Sequence, residues 1–97
     1  MAAPVEPLHV ELFGVARLIA GRREVSLDLP VQPTLAETLA ALAEAVPTLV
    51  GRVIDANRSR LVQGYACNVN GLQFVRAASD RLNGGDHVLI MSADAGG

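Results

Sequence analysis

The sequence predicts an α+β domain, a mixed sheet of four to five strands with one main helix on one face. Several short segments alternate apolar and polar residues as strands do, and one segment carries leucines at helical spacing. At 97 residues the chain is long enough for one hydrophobic core but not for two. We expect a loose leader over residues 1–7, a folded domain over 8–92 and a flexible tail over 93–97.

Two strands open the predicted domain. Residues 8–13 alternate, with every second side chain from Leu8 to Leu12 facing the core. Residues 24–29 alternate in the same way. The segment 14–21 is predicted to be the turn region that connects these strands as a hairpin.

The helix has the clearest local signal. Thr34 and Glu37 have the spacing of a capping box, in which each side chain accepts a hydrogen bond from the other residue's amide. We expect the helix to run from Leu35 to Val46 and to stop near Pro47. The apolar residues that recur at helical spacing are Leu35, Leu39, Leu42 and Val46.

The second half of the chain predicts the remaining strands. Asn70-Gly71 is a strong hairpin signal because both central residues of that turn need positive φ angles. The expected elements are helical turns within 48–54, a surface loop over 55–64, strands over 65–69, 72–75 and 87–92, and a tight turn over 83–86.

Composition narrows the function classes. The net charge is −2, and no basic cluster is dense enough for a phosphate backbone, so we expect no nucleic-acid partner. No apolar run reaches the length of a membrane span, and we expect neither membrane contact nor a signal peptide. The single cysteine fits a reducing, cytoplasmic location.

The final residues form a tail with few side chains. Residues 92–97 follow directly on the apolar run of the last strand and end in Gly96-Gly97. Glycine has no Cβ, so such an end can lie extended in a channel too narrow for other residues. The carboxylate of Gly97 is therefore the group that this chain can insert deeply into a partner.

Taken in order, these motifs make the chain resemble the ubiquitin-like β-grasp sulfur carriers, the family of the molybdopterin synthase small subunit (MoaD) and the thiamine-pathway carrier (ThiS). The matching segments are residues 8–17, Thr34-Leu35-Ala36-Glu37, Asn68-Val69-Asn70-Gly71, residues 82–88 and Gly96-Gly97. The resemblance implies a ubiquitin-like β-grasp fold in which the first and last strands pair in parallel at the centre of the sheet.

The same resemblance implies a chemistry. A ubiquitin-activating-type enzyme would use ATP to adenylate Gly97, and a persulfide sulfurtransferase would supply sulfur to form a thiocarboxylate. The thiocarboxylate would then donate sulfur within an acceptor synthase, with the molybdopterin type favoured. The chain would bind no cofactor or metal and have no self-contained active site; it would act as a carrier or as a small synthase subunit.

Three residues are candidates for partner binding by this resemblance. Phe13, at the end of the first strand, and Met91, near the end of the last, match hydrophobic partner-binding positions in the molybdopterin-type members. Arg17 matches a position that is often basic there. The alternatives are that Phe13 covers a sheet edge and that Arg17 is a solvated charge. The tail lacks the proline that often precedes Gly-Gly in that subgroup, so the sulfur acceptor stays open.

Two other function classes remain. The chain could be a ubiquitin-like modifier joined through Gly97 to lysines of target proteins, or a non-catalytic β-grasp interaction module. All eight basic residues are arginine, which argues against lysine-linked polymers of the chain itself. Cys67 is predicted to be a small buried hydrophobe. His9 and His87 are predicted to be surface or interstrand residues.

Overall fold

Five strands and two α-helices make up the computed structural model, which describes residues 5–93. The strands are β1 (Val5–Leu12), β2 (Glu24–Pro30), β3 (Tyr65–Val69), β4 (Gln73–Val75) and β5 (His87–Ser92). The helices are α1 (Gly14–Ala20) and α2 (Leu35–Ala45), and a 3₁₀ turn spans Pro47–Leu49.

The sheet has the order β2-β1-β5-β3-β4, which places the last strand of the chain at its centre. β1 and β5 are parallel, with Leu12 opposite Ile90, whereas the other neighbouring strands are antiparallel. The α+β class and the central parallel pair are therefore confirmed. A parallel pair needs a long crossover, and here the whole segment between β1 and β5 provides it.

The core lies between one face of the sheet and α2. On that face most alternate side chains of the strands are buried, and the leucine stripe of α2 covers them. The buried residues of this stripe are Leu35, Leu39 and Leu42, with Val46 directly after the helix. Since these leucines recur at three- and four-residue spacing, they form one helical face.

The predicted capping box of α2 is present. The Thr34 hydroxyl oxygen accepts a hydrogen bond from the Glu37 amide at 3.1 Å, and Glu37 Oε1 accepts one from the Thr34 amide at 2.9 Å. These bonds satisfy amide groups that the start of a helix leaves without intrahelical partners. The helix ends at Ala45, one residue before the predicted end.

Two predictions for the start of the domain were wrong. β1 begins at Val5 rather than Leu8, because its first residues pair with the end of β2. The predicted turn over residues 14–21 is instead the helix α1, which packs against β5 and the 3₁₀ turn. Gly21 ends this helix in the left-handed conformation, with φ of 71°, a common helix terminus.

The predicted helical turns over residues 48–54 are shorter than expected. The 3₁₀ turn ends at Leu49, whose carbonyl then accepts hydrogen bonds from the amides of Val53 and Ile54 at 2.8 and 2.9 Å. The 55–64 segment follows as an irregular loop. The predicted hairpin between β3 and β4 is confirmed, because Asn70 and Gly71 have φ angles of 58° and 72°.

Candidate functional site

The carboxyl ends of β1 and β5 meet at one edge of the sheet, because the two strands are parallel. The Phe13 amide donates a hydrogen bond to the carbonyl oxygen of Ile90 at 3.0 Å, which extends the ladder by one residue. Phe13 therefore lies beside Met91, where the chain approaches its tail. The sequence separates these two residues widely, and the sheet brings them together.

The base of the tail is attached to the loop that precedes β3. The Ala93 amide donates a hydrogen bond to the carbonyl oxygen of Gly64 at 2.7 Å, and Ser92 pairs with Tyr65. Gly96 and Gly97 lie outside the described residues. The described chain thus holds the point from which the Gly-Gly end continues.

The face of the sheet opposite α2 is not covered by a helix of the described chain, and we call it the open face. Strand alternation assigns its side chains, since Leu12 and Ile90 are buried on the core face. The apolar side chains of the open face near the tail are Phe13, Leu89, Met91, Ala66 and Phe74. Such an apolar area beside a tail is typical of a protein-binding surface.

The structure separates the three residues that were predicted to bind partners. Phe13 is 39% exposed and Met91 is partly buried, and both belong to the open face. Arg17 is exposed on α1 rather than on the sheet. Phe13 and Met91 can therefore contact one partner surface together, and Arg17 can contribute only from the helix beside it.

Sequence reasoning missed three residues of the open face, and register reveals them. Leu89 lies opposite Asn68, and Asn68 lies opposite Phe74, so the three form a row across β5, β3 and β4. Phe74 is 53% exposed. The period of two in these strands already put the residues on the non-core face, but only strand order makes them neighbours.

Asn68 is the unusual member of this row. The residue is only 7% exposed, and its buried Oδ1 accepts no hydrogen bond from any described residue. A buried acceptor without a donor costs about 1–3 kcal/mol. Thr38, the other buried polar residue described, has a partner, since its hydroxyl donates to the Thr34 carbonyl at 2.9 Å.

Polar residues occupy the opposite end of the open face. His9 and His87 are neighbours in register and both are exposed, as predicted. His87 Nε2 lies 2.9 Å from Glu11 Oε1, and Arg23 Nε lies 3.8 Å from Glu11 Oε2. Within residues 5–93, no three side chains of the types that ligate metals converge.

Cys67 faces the core and is 1% exposed, so its predicted role as a buried hydrophobe is confirmed. Burial disfavours the charged thiolate and raises the pKa of Cys67 to about 12. Because the thiolate is the reactive form, this side chain is not a nucleophile near neutral pH.

A groove of about 440 Å³ lies beside the base of the tail. Its lining includes Ala93, the 60–64 segment and residues of β3 and β4. Two arginines are among the lining residues, Arg60 in this segment and Arg76 after β4. Arg60 Nε lies 3.5 Å from Asp55 Oδ2. The tail therefore starts between an apolar sheet face and a groove with two arginines.

The sequence profile of the ThiS family matches residues 10–97, which is most of the chain. The chain belongs to the ThiS family. Curated protein sequences gave no significant match. Neither α1 nor α2, the α-helices of the described region, has the length and apolar character that a membrane span requires.

Several solved structures have the same fold as this chain. The crystal structure of SAMP1 from Haloferax volcanii is 26% identical, covering 94% of this chain and 99% of that one, with a TM-score of 0.78. A putative molybdopterin converting factor subunit 1 from Pyrococcus furiosus is 19% identical, covering 90% and 97%, with a TM-score of 0.71. A chain of the Amycolatopsis orientalis BexX/CysO complex is 20% identical, covering 93% and 99%, also with a TM-score of 0.71.

These findings place the ThiS-family chain among the ubiquitin-like sulfur carriers and modifiers. The β-grasp fold predicted from the sequence is thereby confirmed. The described residues form the β-grasp body of this chain, which they follow as far as Ala93.

Proposed function

We propose that this chain is a sulfur carrier whose Gly97 is adenylated by a ubiquitin-activating-type enzyme and then converted to a thiocarboxylate. The observation that carries the proposal is the tail itself. It continues from the central strand, its base is held by the Ala93–Gly64 hydrogen bond, and it ends in Gly96-Gly97. Membership of the ThiS family supports the same function.

The chemistry needs activation because a carboxylate is a poor acyl donor. The Gly97 carboxylate attacks the α-phosphate of ATP, which releases pyrophosphate and forms an acyl-adenylate. The terminal sulfur of a sulfurtransferase persulfide then attacks the carbonyl carbon, and AMP leaves. A thiol cleaves the resulting acyl disulfide, so that the thiocarboxylate stays on Gly97 and the two other sulfurs form a disulfide.

In this proposal the open face positions the tail. A partner that packs on Phe13 and Met91 covers the edge where β5 ends, and the tail then enters the active site of that partner. Arg17 contributes a positive charge from α1. Glycine at positions 96 and 97 keeps the entering segment narrow. The body therefore supplies recognition, and Gly97 supplies the reacting carbon.

For the sulfur acceptor we propose a synthase of the molybdopterin type, with the chain as its small subunit. The support is the position of Phe13 and Met91, which match the hydrophobic contact positions that the resemblance to that subgroup implies. The structure with the BexX/CysO title shows that a protein of this fold forms a complex. An acceptor complex is accordingly part of the proposal.

A second candidate function is that of a modifier joined through Gly97 to target proteins. The 26% identity to SAMP1, titled a small archaeal modifier protein, favours it specifically. Both candidates share the adenylate, so the next step distinguishes them. A carrier transfers sulfur, whereas a modifier forms an amide with a lysine of another protein.

Intact-mass spectrometry tests the proposal. The purified chain is incubated with ATP, an adenylating enzyme and a persulfide donor. We expect a mass increase that corresponds to replacement of one oxygen by sulfur, and we expect Cys67→Ala to show it as well. A chain lacking Gly97 should show no change.

Other outcomes of this experiment oppose the proposal. A mass increase of one whole sulfur atom in the wild type, absent from the Cys67→Ala variant, would indicate a persulfide on the cysteine instead. Covalent adducts with other proteins, without the thiocarboxylate mass, would favour the modifier. No change with enzymes that activate their own carriers would favour a non-catalytic interaction module.

A further inference from the structure

The edge of β3 is uncovered where β4 ends. Only Cys67, Asn68 and Val69 have partners on β4, whereas β3 begins two residues earlier, at Tyr65. Tyr65 and Ala66 therefore pair with β5 on one side and with no strand of the described chain on the other side. An uncovered strand edge can accept a further strand from another chain.

The backbone carbonyl of Tyr65 points to this uncovered side. In an antiparallel ladder, alternate residues of a strand direct their backbone groups to opposite neighbours. The Gly64 carbonyl accepts the amide of Ala93, which directly follows β5, so Tyr65 directs its own groups away from β5. The Tyr65 amide donates to the Val62 carbonyl at 3.2 Å, but the Tyr65 carbonyl oxygen has no donor among the loops and side chains of residues 5–93.

Asp80 explains why β4 stops before it reaches Tyr65. If the ladder continued, the Ala77 amide would lie opposite Tyr65 and would donate to its carbonyl oxygen. Instead, Asp80 Oδ2 accepts hydrogen bonds from the amides of Arg76 and Ala77 at 3.2 and 3.1 Å. The chain leaves the sheet there, and the strand position that it leaves open is part of the 440 Å³ groove.

The lining of this groove combines apolar surface with positive charge. Arg60 and Arg76 are the only charged residues of the described lining, although the whole chain has a net charge of −2. Arg60 is paired with Asp55, whereas the Arg76 guanidinium forms no ion pair within residues 5–93. Leu61 and Phe74 are among the apolar lining residues. The groove therefore fits a segment that carries both carboxylates and apolar side chains.

We propose that this groove binds an extended acidic segment of a partner protein, which adds to the edge of β3 as a short strand. One amide of the segment donates to the Tyr65 carbonyl oxygen, and its carboxylates pair with Arg60 and Arg76. Strand addition of this kind takes affinity from main-chain hydrogen bonds and specificity from side chains. Because Ala93 also lines the groove, the partner is held next to the base of the tail. The inference goes beyond the proposed function and does not depend on the chemistry at Gly97.

Fluorescence anisotropy with a labelled peptide tests this inference. The probe is the peptide Glu-Ile-Glu-Val-Glu with blocked ends, which alternates carboxylates and apolar side chains along a strand. The full chain should bind this peptide, and added salt should weaken binding because exposed ion pairs are screened. The peptide Gln-Ile-Gln-Val-Gln has nearly the same shape without the charges, and it should bind about fivefold more weakly.

Variants of the two arginines locate the binding site. Arg76→Gln should weaken binding of the acidic peptide about threefold, as expected for loss of one exposed ion pair. Arg60→Gln should have a smaller effect, because Arg60 already has Asp55 as a partner. Arg52→Gln is the matched control, since Arg52 is also exposed but lies outside the groove. It should leave the affinity unchanged.

A methylated peptide distinguishes strand addition from attraction between charges alone. Methylation of the backbone nitrogens keeps every carboxylate but removes the donors for Tyr65, so this peptide should bind about fivefold more weakly. Nuclear magnetic resonance locates the unmodified peptide on the chain. The amide signals of Tyr65 and Ala66 should shift when it binds.

Several outcomes would overturn the inference. These are failure of the acidic peptide to bind, equal binding of its glutamine analogue, unchanged affinity after methylation, and equal effects of the Arg76 and Arg52 variants. Shifts at Met91 without shifts at Tyr65 would assign the peptide to the open face instead. Binding to a chain that ends at Ala93, but not to the full chain, would assign the groove to the chain's own tail. None of these results bears on the mass-spectrometric test of Gly97, so the two proposals fail separately.

Discussion

The amide of Phe13 donates to the carbonyl oxygen of Ile90 at 3.0 Å, and this bond extends the parallel pairing of β1 and β5 to the last residue before α1. The aromatic ring is therefore beside Met91 at the edge where the tail begins. Because the hydrogen bond uses only backbone atoms, the ring can be removed without breaking it. Phe13 can thus be tested for binding separately from folding.

Truncation of the aromatic side chain should weaken partner binding and leave the fold intact. We expect Phe13→Ala to raise the Kd for the adenylating enzyme about tenfold, because aromatic residues at interface centres often contribute more than 1 kcal/mol. Titration calorimetry measures the change, and circular dichroism checks the fold.

Val31→Ala is the control for that variant. Val31 is 43% exposed, close to the 39% of Phe13, but it follows β2 at the opposite edge of the sheet. It should not change the Kd. Equal effects of the two variants would contradict a specific role for Phe13.

Truncation of the leucine stripe should destabilise the domain. Leu39 is 1% exposed, so Leu39→Ala should lower the free energy of unfolding by about 2–5 kcal/mol. Urea denaturation measures it. Leu72 is 86% exposed, and Leu72→Ala should change the same quantity by less than about 0.5 kcal/mol. Similar losses in both variants would mean that α2 does not cover the core as described.

The capping box should contribute to stability through Thr34. Thr34→Ala removes the acceptor of the Glu37 amide and should cost about 1 kcal/mol of unfolding free energy. Thr48 is exposed in the 3₁₀ turn, so Thr48→Ala serves as the control. A Thr34 variant as stable as the wild type would show that the cap adds nothing.

The same box should make stability depend on pH. The hydrogen bond that the Thr34 amide donates to the Glu37 carboxylate lowers the pKa of Glu37, with further contributions from the Thr34 side chain and from the charge of Arg81. A carboxyl whose pKa is lower in the folded state stabilises the fold above its unfolded pKa, and the stabilisation disappears as pH falls through the folded pKa. The free energy of unfolding of the wild type should therefore exceed that of Glu37→Gln most at neutral pH. This difference should shrink as the pH is lowered. A difference that grows on acidification would reverse this sign and refute the assignment.

Cys67 should be inert in the folded chain. With its pKa raised to about 12 by burial, the thiol should resist iodoacetamide at neutral pH and react once the chain is denatured. Peptide mapping measures the labelled fraction. In the sulfurated protein, native alkylation should then mark only the Gly97 thiocarboxylate. Rapid labelling of Cys67 in the native chain would show that the core face of β3 opens readily.

Local patterns predicted the elements whose signals lie within a few residues. The start of α2 follows from Thr34 and Glu37, which form hydrogen bonds with each other. The bounds of β3 follow from its alternating pattern, and those of β5 follow from an apolar run. The helix α1 escaped prediction because only Ala16 of its seven residues is buried. Its stability depends on packing against β5 and the 3₁₀ turn, which are distant in sequence.

Some features of the candidate site likewise follow from local sequence, and others follow only from the tertiary structure. The sequence by itself determined the Gly-Gly end, the apolar characters of Phe13 and Met91 and, by a period of two, the strand face of each side chain. Only the tertiary structure decided that β5 lies between β1 and β3, and so that Asn68 lies between Leu89 and Phe74 with a buried oxygen. The physical reason is that strand order depends on hydrogen bonds between segments far apart in the chain, which no local pattern encodes.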